Sequence, residues 1–385
     1  GSPARLGHDG SGGLPDTRPS LAWVYNPGTS NQPATFWSSP LVSGNRLYVG
    51  GSLVSVFGTG QWGTVLAQVL SDAGNDVLIW GRNREAVNEI NSIHFNSKSL
   101  PAVALPEKLR ATADAKVAFE HGEIFVLAVP AQSLRANLRE WRGFIPAQAR
   151  FVSAMKGVEL STLKRMTEVI QEILDIPEAQ LGILTGPNLA KEVATRQPAG
   201  AVAASTSIDF ANEIARVFST SYFRVYTSTD VVGCELASAA KNVIALAVGM
   251  ATGMGFGDNT QSLVITRGLN EITRLGVARG ATTLTFVGLA GVGDLLATCS
   301  SSLSRNRSFG EILGKSGSMA KALAEVKSTV EGVPTASAVV ELAHSVGIEV
   351  PIMESVAAVV ENLFTPQEAM VELMKIDTGA EIGTL

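Results

Sequence analysis

The chain has 385 residues, more than one hydrophobic core usually serves, so two domains are expected. Hydrophobic residues make up 45% and charged residues 17%; the mild net charge of −5 and the lack of any Lys/Arg-dense block argue against a nucleic-acid or anionic-membrane surface. Its two cysteines, Cys234 and Cys299, lie far apart and in no metal-ligand spacing, so neither a disulfide framework nor a metal site is expected and a reducing cytoplasm fits.

Residues 1–52 are rich in Gly, Pro, Ser and Asn and hold scattered aromatics, among them Trp23, Tyr25, Phe36 and Trp37. They read as a loosely attached extension of no assigned role, dispensable for catalysis and with no signal-peptide pattern. Near their end Leu41-Val42 and Arg46-Leu47-Tyr48-Val49 flank a Gly44-Asn45 turn, the pattern of a short hairpin. From Leu53 the pattern becomes strand alternating with helix. Strands are predicted over 53–57, 76–80, 124–129, 150–154, 182–184, 201–204 and 223–226, which implies a parallel-rich sheet covered on both faces, in a domain spanning 53–228. Beyond Thr229 the strands stop. Residues 229–385 read as an all-α domain with helices over 231–251, 260–276, 282–299, 305–314, 319–328, 334–345, 351–363 and 366–375. The most apolar stretch, 236–255, contains Lys241, Asn242 and several glycines, so it reads as a buried central helix and not a membrane span.

Gly58-Thr59-Gly60-Gln61-Trp62-Gly63 follows the first strand and opens the first helix. Glycine is needed at the turn, where backbone approaches a pyrophosphate, and where helix meets strand; the helix N-terminus then offers N–H groups to the phosphates. With strand, turn, helix and second strand all in place, this is a dinucleotide site. About 20 residues on, where a ribose-binding carboxylate is expected, stands Trp80-Gly81-Arg82-Asn83-Arg84. A guanidinium there suits a 2′-phosphate, so NADP(H) is favoured, with NAD(H) use left open.

Hydride transfer to a carbonyl needs a proton donor for the developing alkoxide, and an anionic substrate needs cationic anchors. The four histidines lie in the extension, in polar helical or turn segments, and on a late helix, none in a loop suited to catalysis. Lys241 interrupts an apolar helical run, where loss of water lowers its pKa; a snorkelling structural lysine and an acid–base group fit that pattern equally. Lys156 follows a strand at the edge where α/β sheets bind ligands, a position that an ordinary loop lysine also takes. Gly291-Val292-Gly293-Asp294 lies in a Gly-rich apolar passage followed by Thr298, and Ser304-Arg305-Asn306-Arg307 precedes a helix, suited either to a phosphate or to a plain helix cap.

Together these segments, with Thr185-Gly186-Pro187-Asn188-Leu189-Ala190, Ala240-Lys241-Asn242, Ile265-Thr266-Arg267-Gly268 and Val330-Glu331-Gly332, resemble the bacterial NAD(P)-dependent glycerol-3-phosphate dehydrogenases over Leu53 to about Leu373. The resemblance implies a Rossmann domain followed by a helical domain like the C-terminal one of 6-phosphogluconate dehydrogenase, a homodimer, and NAD(P)H-dependent, reversible reduction of dihydroxyacetone phosphate to sn-glycerol 3-phosphate for phospholipid synthesis. It implies Lys241 as the general acid and base, with Lys156, Gly186, Asn188, Asn242, Asp294, Thr298, Ser304, Arg305 and Asn306 around the substrate. Gly58, Gly60, Gln61, Trp62, Gly63, Arg82, Lys156, Ala190, Arg305, Thr329 and Glu331 would border the cofactor. Three departures stand out: residues 1–52 precede the family's usual start, Thr329 stands where valine is common, and Lys375-Ile376 replaces a usual Gly-Arg. A dehydrogenase of another phosphorylated or carboxylated substrate is the nearest rival, opposed by Lys241-Asn242 together with Ser304-Arg305-Asn306. A non-enzymatic dinucleotide sensor would be expected to lack Lys156 or Lys241, and both are present.

Overall fold

The computed structural model describes residues 41–43, 46–48, 51–326 and 330–375; the expectations for 1–40, for Thr329 and for Ile376 lie outside the described residues. Strands β1 (Leu41–Ser43) and β2 (Arg46–Tyr48) pair antiparallel with Ser43 opposite Arg46, as the hairpin pattern predicts.

A single sheet then builds up in chain order. β3 (Leu53–Phe57), α1 (Gln61–Asp72), β4 (Asp76–Trp80), α2 (Arg84–Ile93), β5 (Arg110–Thr112), α3 (Ala115–His121) and β6 (Ile124–Leu127) are followed by α4 (Leu134–Trp141), β7 (Arg150–Ser153), α5 (Met166–Leu174) and β8 (Leu181–Thr185). α6 (Ala190–Ala194), β9 (Ala199–Ala204), α7 (Ile208–Phe218) and β10 (Phe223–Ser228) complete it, in the spatial order β10-β9-β8-β7-β6-β3-β4-β5. Strand runs such as Ile124–Leu127 are buried throughout because helices cover both faces. Side chains alternate between them: Val54 and Val56 pack with Val65, Leu66 and Val69 of α1, whereas Phe57 points into an aromatic cluster with Phe119, Phe125 and Trp141. In that cluster the Phe57 and Phe119 rings are 4.5 Å apart, centre to centre. β3 pairs with both β4 and β6, so the strand order reverses beside it, the crevice where open α/β sheets bind ligands.

The sheet is parallel-rich, as expected, with one exception to the parallel order: β9 runs antiparallel to β8. The helix between them, α6, has five residues and rises only about 7 Å, too short to return the chain to the start of a parallel strand. α7, with 11 residues, is long enough, and β10 is parallel to β9. The three-residue edge strand β5 carries no clear alternation and was not expected. The helix predicted over 282–299 is broken into α10 (Thr283–Phe286), a π-helical turn (Leu289–Gly293) and α11 (Asp294–Ser300). Gly291 is required there, since a Cβ would sit 2.1 Å from the Phe286 carbonyl oxygen.

Among the described residues the strands end at Ser228, and the helical part is built around α8 (Val231–Gly253). This helix is long and apolar enough to cross a membrane, but 89% of its apolar window is buried inside the protein. Around it lie α9 (Asp258–Ala278), α12 (Arg305–Ser316), α13 (Met319–Glu325), α14 (Gly332–His344), α15 (Pro351–Val360) and α16 (Pro366–Lys375). α8 and α12 meet backbone to backbone through a seam of glycines. A Cβ on Gly249 would lie 2.1 Å from the Arg307 carbonyl oxygen, and one on Gly310 would lie 2.3 Å from that of Leu246. Neither obstacle is a side chain that can swing away, so the helices would have to separate. Gly310→Ala is therefore expected to cost about 1–3 kcal/mol of stability, read from the urea unfolding midpoint. An unchanged midpoint would show that the helices part freely.

Candidate active site

The glycine loop sits in the crevice beside β3. Gly58 has φ +128°, and a Cβ there would come within 2.5 Å of the Ala128 carbonyl oxygen at the end of β6. A Cβ on Gly63 would meet the Gly58 carbonyl oxygen at 2.0 Å, while the corresponding position on Gly60 has nothing within 4 Å. Two glycines thus close the turn, and the third leaves open space. Gly60 caps α1 without a side-chain hydrogen bond, so the first N–H groups of the helix are left for an anion. The Thr59 carbonyl is turned away by Asn96 Nδ2 and Ser99 Oγ, each donating at 3.0 Å. This cradle fits a dinucleotide pyrophosphate. At the end of β4, Asn83 caps α2 by accepting from the Glu85 and Ala86 amides, leaving the exposed Arg82 on the cleft wall.

Lys241 is buried on α8, and its Nζ donates to Asp294 Oδ1 and, at 2.7 Å, to Thr298 Oγ1. Lys156, from the loop after β7, donates to the other oxygen of the same carboxylate at 3.1 Å and reaches the Gly186 carbonyl at 3.5 Å. One carboxylate therefore holds two ammonium groups from sequence-distant elements. The π-helical turn supplies it, because it ends at Gly293 and leaves Asp294 to open α11 with its side chain toward α8. Burial pushes the Lys241 ammonium down to about 7; Asp294 pulls it up and the neighbouring Lys156 charge pushes it further down. Lys241 is thus poised to exchange a proton near neutrality, which a snorkelling lysine with its amine in water would not be.

The start of α12 forms the facing wall. Ser304 is its cap, accepting from the Arg307 amide at 3.3 Å, and Arg307 pairs with Glu311 at 3.1 Å. Arg305 is exposed and opens on the cleft. Asn306 is buried, donates to Asn242 Oδ1 at 2.9 Å and accepts from the Gly332 amide at 2.8 Å, which pins α12 to α8 and α14. Burial raises the Glu331 carboxyl, with Arg305 and Lys156 drawing it down.

These walls enclose one cleft of about 600 Å³. It gathers Lys156, Asn188, Lys241, Asn242, Asp294, Thr298, Ser304, Arg305 and Asn306, and beside them Gly58, Gly60, Gln61, Trp62, Arg82, Ala190 and Glu331. Gly63 and Gly186 stand just behind the wall, the first inside the glycine turn and the second offering its carbonyl to Lys156. The cleft also includes residues that the sequence reading missed, notably Trp80, Val129, Pro130, Ser133, Asn137 and Leu303. Val129 and Pro130 follow β6 at the sheet's carboxyl edge, a position that could have nominated them; Asn137 lies mid-helix and carries no such signal.

Models of the N-terminal and C-terminal parts of NAD-dependent glycerol-3-phosphate dehydrogenase match residues 53–211 and 230–371. The chain belongs to this family. It is 50% identical over 320 residues to the glycerol-3-phosphate dehydrogenase [NAD(P)+] of Streptomyces griseus, covering 83% of this chain and 95% of that one. To the protein of the same name from Corynebacterium jeikeium it is 49% identical over 329 residues, covering 85% and 99%. The crystal structure of glycerol-3-phosphate dehydrogenase from Coxiella burnetii superposes with a TM-score of 0.80 at 32% identity, over 85% of this chain and 99% of that one. The two family matches together take in every residue that lines the cleft, and the second begins where the last strand gives way to α8.

Replacing Asp294 by Asn tests the shared carboxylate. Lys241 loses the group that raises its pKa and stays beside the Lys156 charge, so its amine should titrate lower than in the wild type, followed by NMR of ¹³Cε-labelled lysine. Stability should fall, by up to about 3–5 kcal/mol if both amines stay charged. An unmoved lysine titration would show that the carboxylate does not set it.

Proposed function

We propose that this chain reduces dihydroxyacetone phosphate to sn-glycerol 3-phosphate, reversibly, with NADP(H) as the preferred cofactor and NAD(H) as an alternative. The observation that carries the reading is the buried Lys241 amine, tied to Asp294 and Thr298 on the wall of a cleft whose other end is a dinucleotide cradle. Residues 53–228 would hold the cofactor and 229–385 most of the substrate. The reduced nicotinamide supplies the hydride. Lys241 Nζ gives a proton to the carbonyl oxygen as it becomes an alkoxide, and Lys156, a second cation on the same carboxylate, stabilises the developing charge. Arg305 and the N-terminal amides of α12 hold the phosphate and so orient the carbonyl. Asn242 offers its amide nitrogen to the substrate oxygens, Asn306 holds it in place by donating to its Oδ1, Asn188 stands on the same wall, and Thr298 steadies Lys241. In the cofactor half, Gln61 and Trp62 at the start of α1, Arg82 on the 2′-phosphate, and Ala190 and Glu331 near the rest complete the set.

The product, a phosphorylated triol, is the backbone on which glycerophospholipids are assembled, and that is its proposed use. Cytoplasmic placement is supported by two buried free thiols, both pushed up to about 12 by burial. A homodimer is supported by large apolar side chains such as Leu284 and Val287 on the helical part, 74% and 64% exposed.

An NADPH-oxidation assay against a panel of carbonyl compounds should single out dihydroxyacetone phosphate over its unphosphorylated form. Lys241→Ala should keep NADPH binding and lower kcat by about 10²–10⁴. Arg305→Ala should chiefly raise KM for the phosphorylated substrate. Because reduction needs the ammonium and oxidation the free amine, kcat/KM should fall about tenfold per pH unit above about 7 in the reducing direction, and below about 7 in the oxidising direction. Near-wild-type turnover in Lys241→Ala would move the acid–base role to Lys156.

A further inference from the structure

Arg82 stands exposed at the end of β4, and among the described residues it forms no salt bridge. A free arginine would lose much rotational freedom on gripping a phosphate. Here its guanidinium already donates to Oδ1 of Asn137, a residue of α4 that is 1% exposed yet lines the same cleft. The amide cannot turn either way with equal ease. Ser133 Oγ donates to the Pro130 carbonyl at 2.8 Å, which leaves its lone pairs to receive Asn137 Nδ2 at 3.5 Å and turns Oδ1 toward the arginine. The spacing is held from both sides by aromatic packing. Trp80, two residues before Arg82, and Trp141, one helical turn after Asn137, meet edge to face with ring centres 5.0 Å apart.

We propose that Asn137 is a specificity-determining positioning residue, whose amide oxygen holds the Arg82 guanidinium ready for the 2′-phosphate of NADPH. This rests on the reading of Arg82 as the 2′-phosphate partner. A neutral amide suits that role because it orders the guanidinium and leaves its charge for the ligand, whereas a carboxylate at the same place would neutralise it.

The test is calorimetric titration of the full chain with NADPH and with NADH, backed by KM values for each. Asn137→Ala should weaken NADPH binding about 3- to 10-fold, the range for one lost hydrogen bond, and NADH binding much less. Asn137→Asp, nearly the same shape, should weaken NADPH binding further by pairing with Arg82. Arg82→Ala should lower the NADPH-to-NADH affinity ratio, and adding Asn137→Ala to it should lower the ratio no further. Equal losses for both cofactors in the Asn137 variants, with the ratio still falling in Arg82→Ala, would overturn the role of Asn137 and leave that of Arg82 standing. A ratio unmoved in Arg82→Ala would overturn both. Should the alanine variant not fold, Asn137→Leu, which keeps the volume and removes the acceptor, takes its place in every comparison.

Discussion

Asp294 is the point on which the cleft turns. It is 1% exposed, and its two oxygens take ammonium groups from opposite parts of the chain, Lys156 after the sheet strand β7 and Lys241 in the middle of the central helix α8. Two lysines this close would repel each other without the carboxylate between them; burial still leaves Lys241 near its titration point, while Asp294 draws its pKa up. The same three groups tie the sheet to the helical part at the place where a cofactor-borne hydride and a substrate carbonyl would have to meet.

That carboxylate can reach Lys241 only because local backbone rules are broken nearby. The stretch 289–293 is a π-helical turn, permitted by Gly291, where any side chain would meet the Phe286 carbonyl, and it delivers Asp294 at the head of α11. On the other side, α12 approaches α8 through bare glycine contacts, which brings Asn306 within reach of Asn242. A bulkier seam would hold Arg305 and Asn306 away from the lysines. The glycines of the helical part therefore set the width of the site, as those of the β3–α1 turn set the floor of the cofactor cradle.

Much of this was legible in the sequence. β3 and β4 fall on the residues predicted, since an apolar run between turn glycines admits little else, and Lys241 stood out as a lone cation in an apolar helix. What was not legible depends on geometry that no local pattern encodes. β5 is a three-residue edge strand, and the reversal of β9 follows from the shortness of α6, which periodicity does not report. The break in 282–299 was hidden because its apolar spacing suits a continuous helix; only the close approach of Gly291 to Phe286 explains it. Asn137 reads as an ordinary polar residue in an amphipathic helix until α4 is seen packed against the end of β4. Lys156 and Asp294 lie 138 residues apart, and their pairing emerges only when the sheet edge and α11 are brought together.

The charge balance shows why such local construction matters. The chain carries a net charge of −5, so its overall field does not draw in phosphorylated ligands. Within the cleft the balance is reversed. Arg82, Lys156, Lys241 and Arg305 line it against the carboxylates of Asp294 and Glu331, and the first of these is already engaged by the two lysines while burial works against ionisation of the second. The exposed N-termini of α1 and α12 add partial positive charge from the backbone. Attraction for anions is thus concentrated in a confined space, where water screens it less than on the surface, and it comes from groups whose positions the fold has set before any ligand arrives.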